Sequence, residues 1–374
     1  MKKIGIVTHY LAENYGTTLQ AYALLKKIKE MGYETYFISH FDYQQFSYIK
    51  YVLYICKKIL ISIGIRGLYL KFKSNNIKIR KLRNFQSKYE PVKNILTKSQ
   101  YKKLIDKTDI FITGSDQIWN PYCLSTFMLL DFVPNKKKKI AYASSVGTLT
   151  IPQEMLSIYE KHLSGFRFIS LREMAGVDLI SKVLKRKDIE KVLDPTFLLT
   201  PQEWSSISQQ SKFEIIIPST YILCYLLGKR FNYIEQIDSI VRQTGIKNII
   251  LIPSFENKDF IYKDATIYRG AGINEFLYLI EKATLVCTDS FHGTALSINF
   301  SKQFVEFMRF KDDDIKSQNS RIYELLEHYN LMERIYTPYN RNWLNTIDYS
   351  KIQSLLNSER QKSINFLINS IEND

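Results

Sequence analysis

Chemistry in this sequence concentrates in loops where an apolar run gives way to polar residues. The densest is Thr288-Asp289-Ser290-Phe291-His292-Gly293-Thr294-Ala295, behind an apolar strand over 284–288. The pattern predicts a helix from about Thr294, with Ser290, His292, Gly293 and Thr294 at its positive end. An imidazole placed there can give or take a proton near neutral pH, beside backbone N–H groups that hold phosphate oxygens. A lone histidine is more often structural, but the neighbours here are mostly polar or glycine, so His292 leads the catalytic candidates.

A second loop, Thr113-Gly114-Ser115-Asp116-Gln117-Ile118-Trp119-Asn120-Pro121, follows the run Ile110–Thr113. Asp116 can act as a base or hold an acceptor hydroxyl, with Gln117 beside it, and Trp119 offers a ring for sugar stacking. An Asx-type turn with a packing tryptophan is the competing reading. A third, Ser170-Leu171-Arg172-Glu173, puts an arginine where a strand yields to a helix. Such a guanidinium can bind a carboxylate or phosphate through two parallel hydrogen bonds, or simply pair with Glu173 or another acid. The fourth runs from His9 through Asn14-Tyr15-Gly16-Thr17. A glycine and hydroxyl side chains at a helix start can present N–H groups to an anion or a sugar hydroxyl, although ordinary capping by Thr17 also accounts for them. His9 and Asn14 are candidates to face a cleft. Gly228-Lys229-Arg230 is a weaker candidate anion site.

The elements that must position these loops alternate. Strand 3–8, helix Thr17–Met31 with Gly32 just beyond it, and strand Tyr33–Ser39 make a β-loop-helix-β opening. Strands are predicted at 109–113, 139–143, 166–171 and 191–193, with helices near 152–163 and 174–185. A polar stretch over 200–212 reads as a linker. Strand Tyr221–Leu227, helix Phe231–Thr244, strand Asn248–Ile252, helix Ile273–Lys282, strand Thr284–Thr288 and strand Phe304–Phe307 form a second unit. Alternating strands and helices argue for parallel sheets, with chemistry at the strands' carboxyl ends. The expected class is α/β, with two Rossmann-like domains facing a cleft. Residues 1–205 form the first (acceptor) domain and 206–345 the second (donor) domain. The 346–374 helix is expected to pack back on the first.

At 374 residues the chain can bury two sizeable cores, and a formal net charge of +15 favours anionic partners. Nucleic acid is not expected, since no zinc-ligand spacing, basic zipper or RNA-recognition signature appears. Residues 43–90 form a basic insertion, with eleven Lys or Arg and one acid among apolar residues. Lys57, Lys58 and Arg66 interrupt it too centrally for a membrane span. A helix at the inner face of the cytoplasmic membrane and a basic helix packed on its own domain are equal readings. Cys56, Cys123, Cys224 and Cys287 are widely spaced in apolar contexts and read as buried small hydrophobes, not as a disulfide or metal set. The amino terminus lacks the apolar core of a signal peptide, so a cytoplasmic protein, in part peripheral to the membrane, is expected.

With these residues in view, the chain resembles the polysaccharide pyruvyl transferase family. The likeness rests on Asn14-Tyr15-Gly16 with Leu19-Gln20-Ala21-Tyr22-Ala23-Leu24, on Gly114-Ser115-Asp116-Gln117-Ile118-Trp119-Asn120-Pro121, on Ser170-Leu171-Arg172-Glu173, on Asp194-Pro195-Thr196, and on Thr288-Asp289-Ser290-Phe291-His292-Gly293. It spans residue 3 to about 330, and the Gly-Ser-Asp-Gln-x-Trp-Asn run is its most specific part. The resemblance implies a GT-B-like fold and transfer of a carboxyethylidene (pyruvyl) group from phosphoenolpyruvate to a sugar of a surface polysaccharide or its lipid-linked precursor. It implies His292 as the catalytic or donor-phosphate residue, Arg172 as a donor-binding cation, and Asp116 with the Asn14–Gly16 loop lining the cleft on the acceptor side. With the loop readings above, His292 and Asp116 are the catalytic candidates. Donor contacts would come from Arg172, Ser290, Gly293, Thr294, Lys229 and Arg230, and acceptor contacts from His9, Asn14, Tyr15, Gly16, Gln117 and Trp119. No cofactor beyond the donor substrate and no metal is expected. Phe291 stands where several members carry arginine, so Lys229, Arg230, Arg269 or Arg309 would have to supply the missing charge. The alternative on the same fold is a glycosyltransferase using a nucleotide sugar, with Phe291 stacking on a base or sugar.

Overall fold

The structure, a computed structural model, describes residues 1–10, 13–38, 56, 77–89, 92–93, 98–229, 232–314 and 317–373. Its first half runs β1 (Lys3–Val7), α1 (Tyr15–Glu30), β2 (Glu34–Ile38), α2 (Ile77–Tyr89), β3 (Val92–Lys93), α3 (Lys98–Lys107), β4 (Ile110–Thr113), β5 (Lys138–Ser144), α4 (Gln153–Leu163), β6 (Phe168–Leu171), α5 (Met174–Leu184) and β7 (Glu190–Lys191). After α6 (Pro201–Ser208) come β8 (Ile222–Tyr225), α7 (Tyr233–Thr244), β9 (Ile249–Leu251), β10 (Ala265–Ile267), α8 (Ile273–Lys282), β11 (Leu285–Thr288), α9 (Phe291–Asn299), β12 (Phe304–Glu306), α10 (Ser320–His328) and α11 (Tyr349–Glu372).

The strands form a seven-stranded sheet, β3-β2-β1-β4-β5-β6-β7, and a five-stranded sheet, β10-β9-β8-β11-β12. Every pairing between these strands is parallel. Strand order reverses between β1 and β4 in one sheet and between β8 and β11 in the other. Crevices open at the carboxyl ends of such switch points. The loops after β1, β4, β8 and β11 therefore lead to one place, and each carries a motif singled out above, the one after β8 being the weaker Gly228-Lys229-Arg230.

Local sequence explains the placement. Asn14 caps α1 by accepting from Thr17 N at 3.3 Å. Buried Gln20 then ties two loops together: its Nε2 donates to Thr8 Oγ1 at 3.1 Å, and its Oε1 accepts from Ser115 N at 3.1 Å. Three features differ from the sequence expectation. The stretch 200–212 is not a plain linker. Thr200 and Glu203 form a reciprocal capping box that starts α6, and Trp204 and Ile207 bury against the second sheet's core while Ser206, Gln209 and Gln210 take the solvent side. Helix α9 begins at Phe291 rather than near Thr294, so His292 sits in its first turn. Cys56 and Cys123 are exposed; only Cys224 and Cys287 are buried, and all four are free.

Most of the basic stretch 43–90 lies outside the described residues. Its described helix, α2, packs on the protein, with Leu82 and Phe85 in the core and Gln86 Nε2 donating to Tyr10 O at 2.8 Å. No helix among the described residues is long and apolar enough to cross a membrane. In the tail helix α11, Phe366, Leu367 and Ile371 pack with Ile4, Ile6 and Ile112 of the first sheet.

Candidate active site

Helix α9 starts under Ser290, whose Oγ accepts from Gly293 N at 3.4 Å. Gly293 has no room for a side chain, since a Cβ there would lie 2.5 Å from Thr288 Oγ1. His292 is 7% exposed and its ring lies against Gly16, where a Cβ would come within 2.2 Å of Nδ1. The first turns of α1 and α9 therefore close on one another across the two halves. His292 Nε2 stands 3.7 Å from Asp194 Oδ2, within ion-pair reach but beyond a hydrogen bond, and it has no hydrogen-bond partner among the described residues.

Behind the histidine lies a buried charge cluster. Arg172 Nε donates to Glu173 Oε1 at 2.6 Å and Nη1 to Asp194 Oδ2 at 2.8 Å, while Nη2 stands 3.6 Å from Asp116 Oδ1. Ser145 and Thr17 hydroxyls complete the shell on Glu173 and Asp116, at 2.9 and 3.0 Å. Burial alone would raise the Asp194 carboxyl, but contact with His292, the Arg172 charge and the Thr196 N–H hold it well below the usual carboxylate range. Asp116 is also held low: burial is outweighed by the His292, Arg172, His9 and Arg321 charges. Burial raises Glu173, and the carboxylates around Arg172 overcome its burial and raise the guanidinium. Asp116 adopts a left-handed backbone, φ 71°, which costs a non-glycine residue about 1–2 kcal/mol. The fold meets that cost where the carboxylate must face the cleft, as strain at functional sites commonly does.

The cleft itself is about 280 Å³ and is bordered by His9, Asn14, Asp116 and Gln117 from the first half and by Ser290, His292, Glu306, Arg309 and Arg321 from the second. Arg309 pairs with Glu256 at the rim. Arg321, in the first turn of α10, is pushed down to about 10 by burial and then by the Arg172 charge, and so remains a cation. The side chains of Gln117 and Gln318 meet across the cleft at 2.8 Å, and turning the Gln117 amide lets its oxygen face the Arg321 guanidinium. These cations and the α9 N-terminus can hold a phosphate or carboxylate, with an ionised Asp116 opposite.

The structure brings His9, Asn14, Asp116, Gln117, Ser290 and His292 to this cleft and corrects the rest. Trp119 is fully buried, with its indole N–H on Met128 O, so it cannot stack on a sugar. Tyr15 is equally buried, its hydroxyl donating to Ala271 O at 2.7 Å. Gly16 makes room for the imidazole rather than for a ligand. Arg172 is committed to carboxylates behind the cleft, with its guanidinium 4.3 Å from the Phe291 ring. That ring borders the cleft beside His292 and is 8% exposed. Thr294 is buried against Glu306. Gly293 N is taken by Ser290, and Lys229 lines a separate hollow with Glu256 and Asp259. Arg230 lies outside the described residues. Sequence reading assigned no role to Arg321, Gln318 or Glu306. Arg321 follows a loop of mixed charges with no motif, and only the fold reveals it.

Two Rossmann-like units with all-parallel sheets, meeting at their switch-point loops, define a GT-B-like α/β protein. The chain belongs to the polysaccharide pyruvyl transferase family, whose model matches residues 14–309. No curated protein sequence matches it significantly. Among solved structures it is similar to the UDP-GlcNAc 2-epimerase from Neisseria meningitidis bound to UDP-GlcNAc. That match has a TM-score of 0.51 at 9% identity, over 99% of this chain and 100% of that one. The Methanocaldococcus jannaschii UDP-GlcNAc 2-epimerase matches with TM-score 0.49 and 12% identity, over 96% of this chain and 100% of that one. The Escherichia coli ADP-heptose heptosyltransferase II gives 0.37 and 10%, over 97% and 99%. At such identities the likeness concerns the fold alone.

Proposed function

We propose that this transferase moves the carboxyethylidene group of phosphoenolpyruvate onto two hydroxyls of one sugar, leaving a pyruvate ketal and free phosphate. The observation that carries the reading is the convergence on one cleft of His292, an ionised Asp116 and the cations Arg309 and Arg321. A donor bearing both phosphate and carboxylate needs more than one cation, and the α9 N-terminus adds N–H donors. Arg321, 5.7 Å from the Phe291 ring, supplies charge close to the position where other family members carry arginine. Asp116, with Asn14 and His9 beside it, orients the saccharide hydroxyl, and His292 takes its proton. The acceptor is a surface-polysaccharide sugar or its lipid-linked precursor.

Acceptor-dependent phosphate release from phosphoenolpyruvate, offered a pool of oligosaccharides, tests this. Wild type is expected to release phosphate and His292→Ala to lose on the order of 10²–10⁴-fold in kcat, the usual worth of a positioned acid-base group. No release from any pool, with thermal protection by nucleotide sugars instead, would assign the cleft to glycosyl transfer.

A further inference from the structure

Glu306 closes β12 opposite Thr288 of β11, is fully buried, and borders the same cleft as His292. Its Oε2 meets Thr294 Oγ1, and that hydroxyl also lies 3.0 Å from Ser290 O. A carbonyl oxygen only accepts, and a threonine hydroxyl has a single proton. When that proton serves the Ser290 carbonyl, the second contact is filled by a proton on the Glu306 carboxyl. Among the described residues, Glu306 Oε1 has no hydrogen-bond partner and no cation stands within ion-pair distance of the side chain. A buried carboxylate in such surroundings is costly, whereas the neutral acid is not. Burial outweighs the lowering contact with the Thr294 hydroxyl and, with a smaller push from the neighbouring Asp289, holds its pKa well above the ordinary carboxyl value. Asp289 itself is tied to Leu227 N, Gly228 N and Tyr233 OH. The other charged or titratable groups turned to the cleft include His292, Arg309, Arg321, Glu256 and Asp116.

We infer that Glu306 is the acid that protonates the donor methylene. This assignment rests on the phosphoenolpyruvate reading above. Asp116 and Asp194 are held ionised and cannot supply that proton. Both oxygens of Asp289, which burial also raises, are taken by Leu227 N, Gly228 N and Tyr233 OH, which leaves Glu306 with a carboxyl oxygen unengaged. The C2=C3 π pair takes the Glu306 proton to form the new methyl C–H bond, leaving C2 as an oxocarbenium centre. A sugar hydroxyl forms the first C2–O bond and passes its proton to His292. The C2–O(phosphate) bond then breaks, its electron pair leaves with phosphate, and His292 returns its proton to that phosphate. The second hydroxyl closes the ketal, and its proton restores Glu306.

Two readouts test the assignment separately from the substrate. The first is the infrared carbonyl stretch of a protonated carboxyl, as wild type minus Glu306→Gln at neutral pH without substrate. The second is turnover of the same pair. We expect the band to be present, and kcat in E306Q to fall on the order of 10²–10⁴-fold with KM nearly unchanged. The amide preserves shape and can still donate to Thr294, so equal melting temperatures confirm folding. In deuterium oxide the wild-type ketal methyl should carry a single deuterium. Absence of the band overturns the neutral acid whatever the substrate. Full turnover by E306Q overturns the proton donor. A band without any wild-type use of phosphoenolpyruvate removes the substrate reading, and the methylene assignment with it.

Discussion

At the scale of single residues, the site is built from buried charges that neutralise one another. Asp194 is the hinge of that arrangement, because it touches Arg172, Ser115, Thr196 and His292 at once. Replacing it by asparagine leaves the Arg172 guanidinium short of a buried counter-charge, which costs roughly 3–5 kcal/mol. The pH dependence has a definite sign. A carboxyl with a depressed folded pKa stabilises the protein above its unfolded value, about 3.9, and that contribution fades as pH falls toward the folded value. The stability gap between wild type and Asp194→Asn, measured by urea unfolding, should therefore shrink as pH falls below about pH 4. A gap that stays level between about pH 5 and pH 3 would mean another group controls it. Much of this site was legible in the sequence, because His292, Asp116, Asn14 and Gln117 sit in polar loops behind apolar strands. The direction of each side chain was not. Trp119 and Tyr15 stand in the same motifs yet face the core, and a polar context does not tell a ring bound for sugar from one bound for packing.

At the scale of elements, the decisive contact is between the first turns of α1 and α9, and glycine at position 16 permits it. Alanine inside a helix is worth up to about 1 kcal/mol over glycine. Here its Cβ would fall 2.2–2.7 Å from Nδ1, Cγ and Cβ of the His292 side chain, an overpacking that costs typically 1–3 kcal/mol. The clash outweighs the propensity. Gly16→Ala should lower the melting temperature modestly and cut phosphate release far more, since the imidazole must move. Unchanged turnover would show that the two helix ends are not in contact in solution. Elements of this kind were readable where periodicity is strong, as in α1, α8 and β11. They were missed where local capping decides. Helix α6 is announced by Thr200, Pro201 and Glu203, ahead of a run of serines and glutamines. Helix α9 starts early because Ser290 caps it, ahead of the apolar residues that mark its body. Short strands such as Ala265–Ile267 carry too few residues for a period to show.

At the scale of the whole molecule, the two sheets are joined by more than a linker. Interfaces between domains are usually small and polar, and relative motion is the default. In this chain one apolar cluster holds Tyr15, Leu19, Tyr22, Leu82 and Phe85 from the first half together with Tyr225, Phe276 and Ile280 from the second. Tyr15 stacks on Phe276 at 4.3 Å while its hydroxyl reaches Ala271 O. Asn299 Nδ2 donates to Thr196 O and Leu199 O, and Arg360 Nε donates to Phe197 O at 2.6 Å. Helix α11 places Ile352 and Leu356 in the shared cluster and Leu367 and Ile371 against the first sheet. A continuous core couples the unfolding of both halves, so calorimetry should record one transition whose van't Hoff and calorimetric enthalpies agree. Leu367→Ala, far from the second sheet, removes about 2–5 kcal/mol of burial and should move that single transition as a whole. If the variant instead splits the trace, with one peak shifted and the other fixed, the halves unfold independently and the shared cluster is too weak to join them.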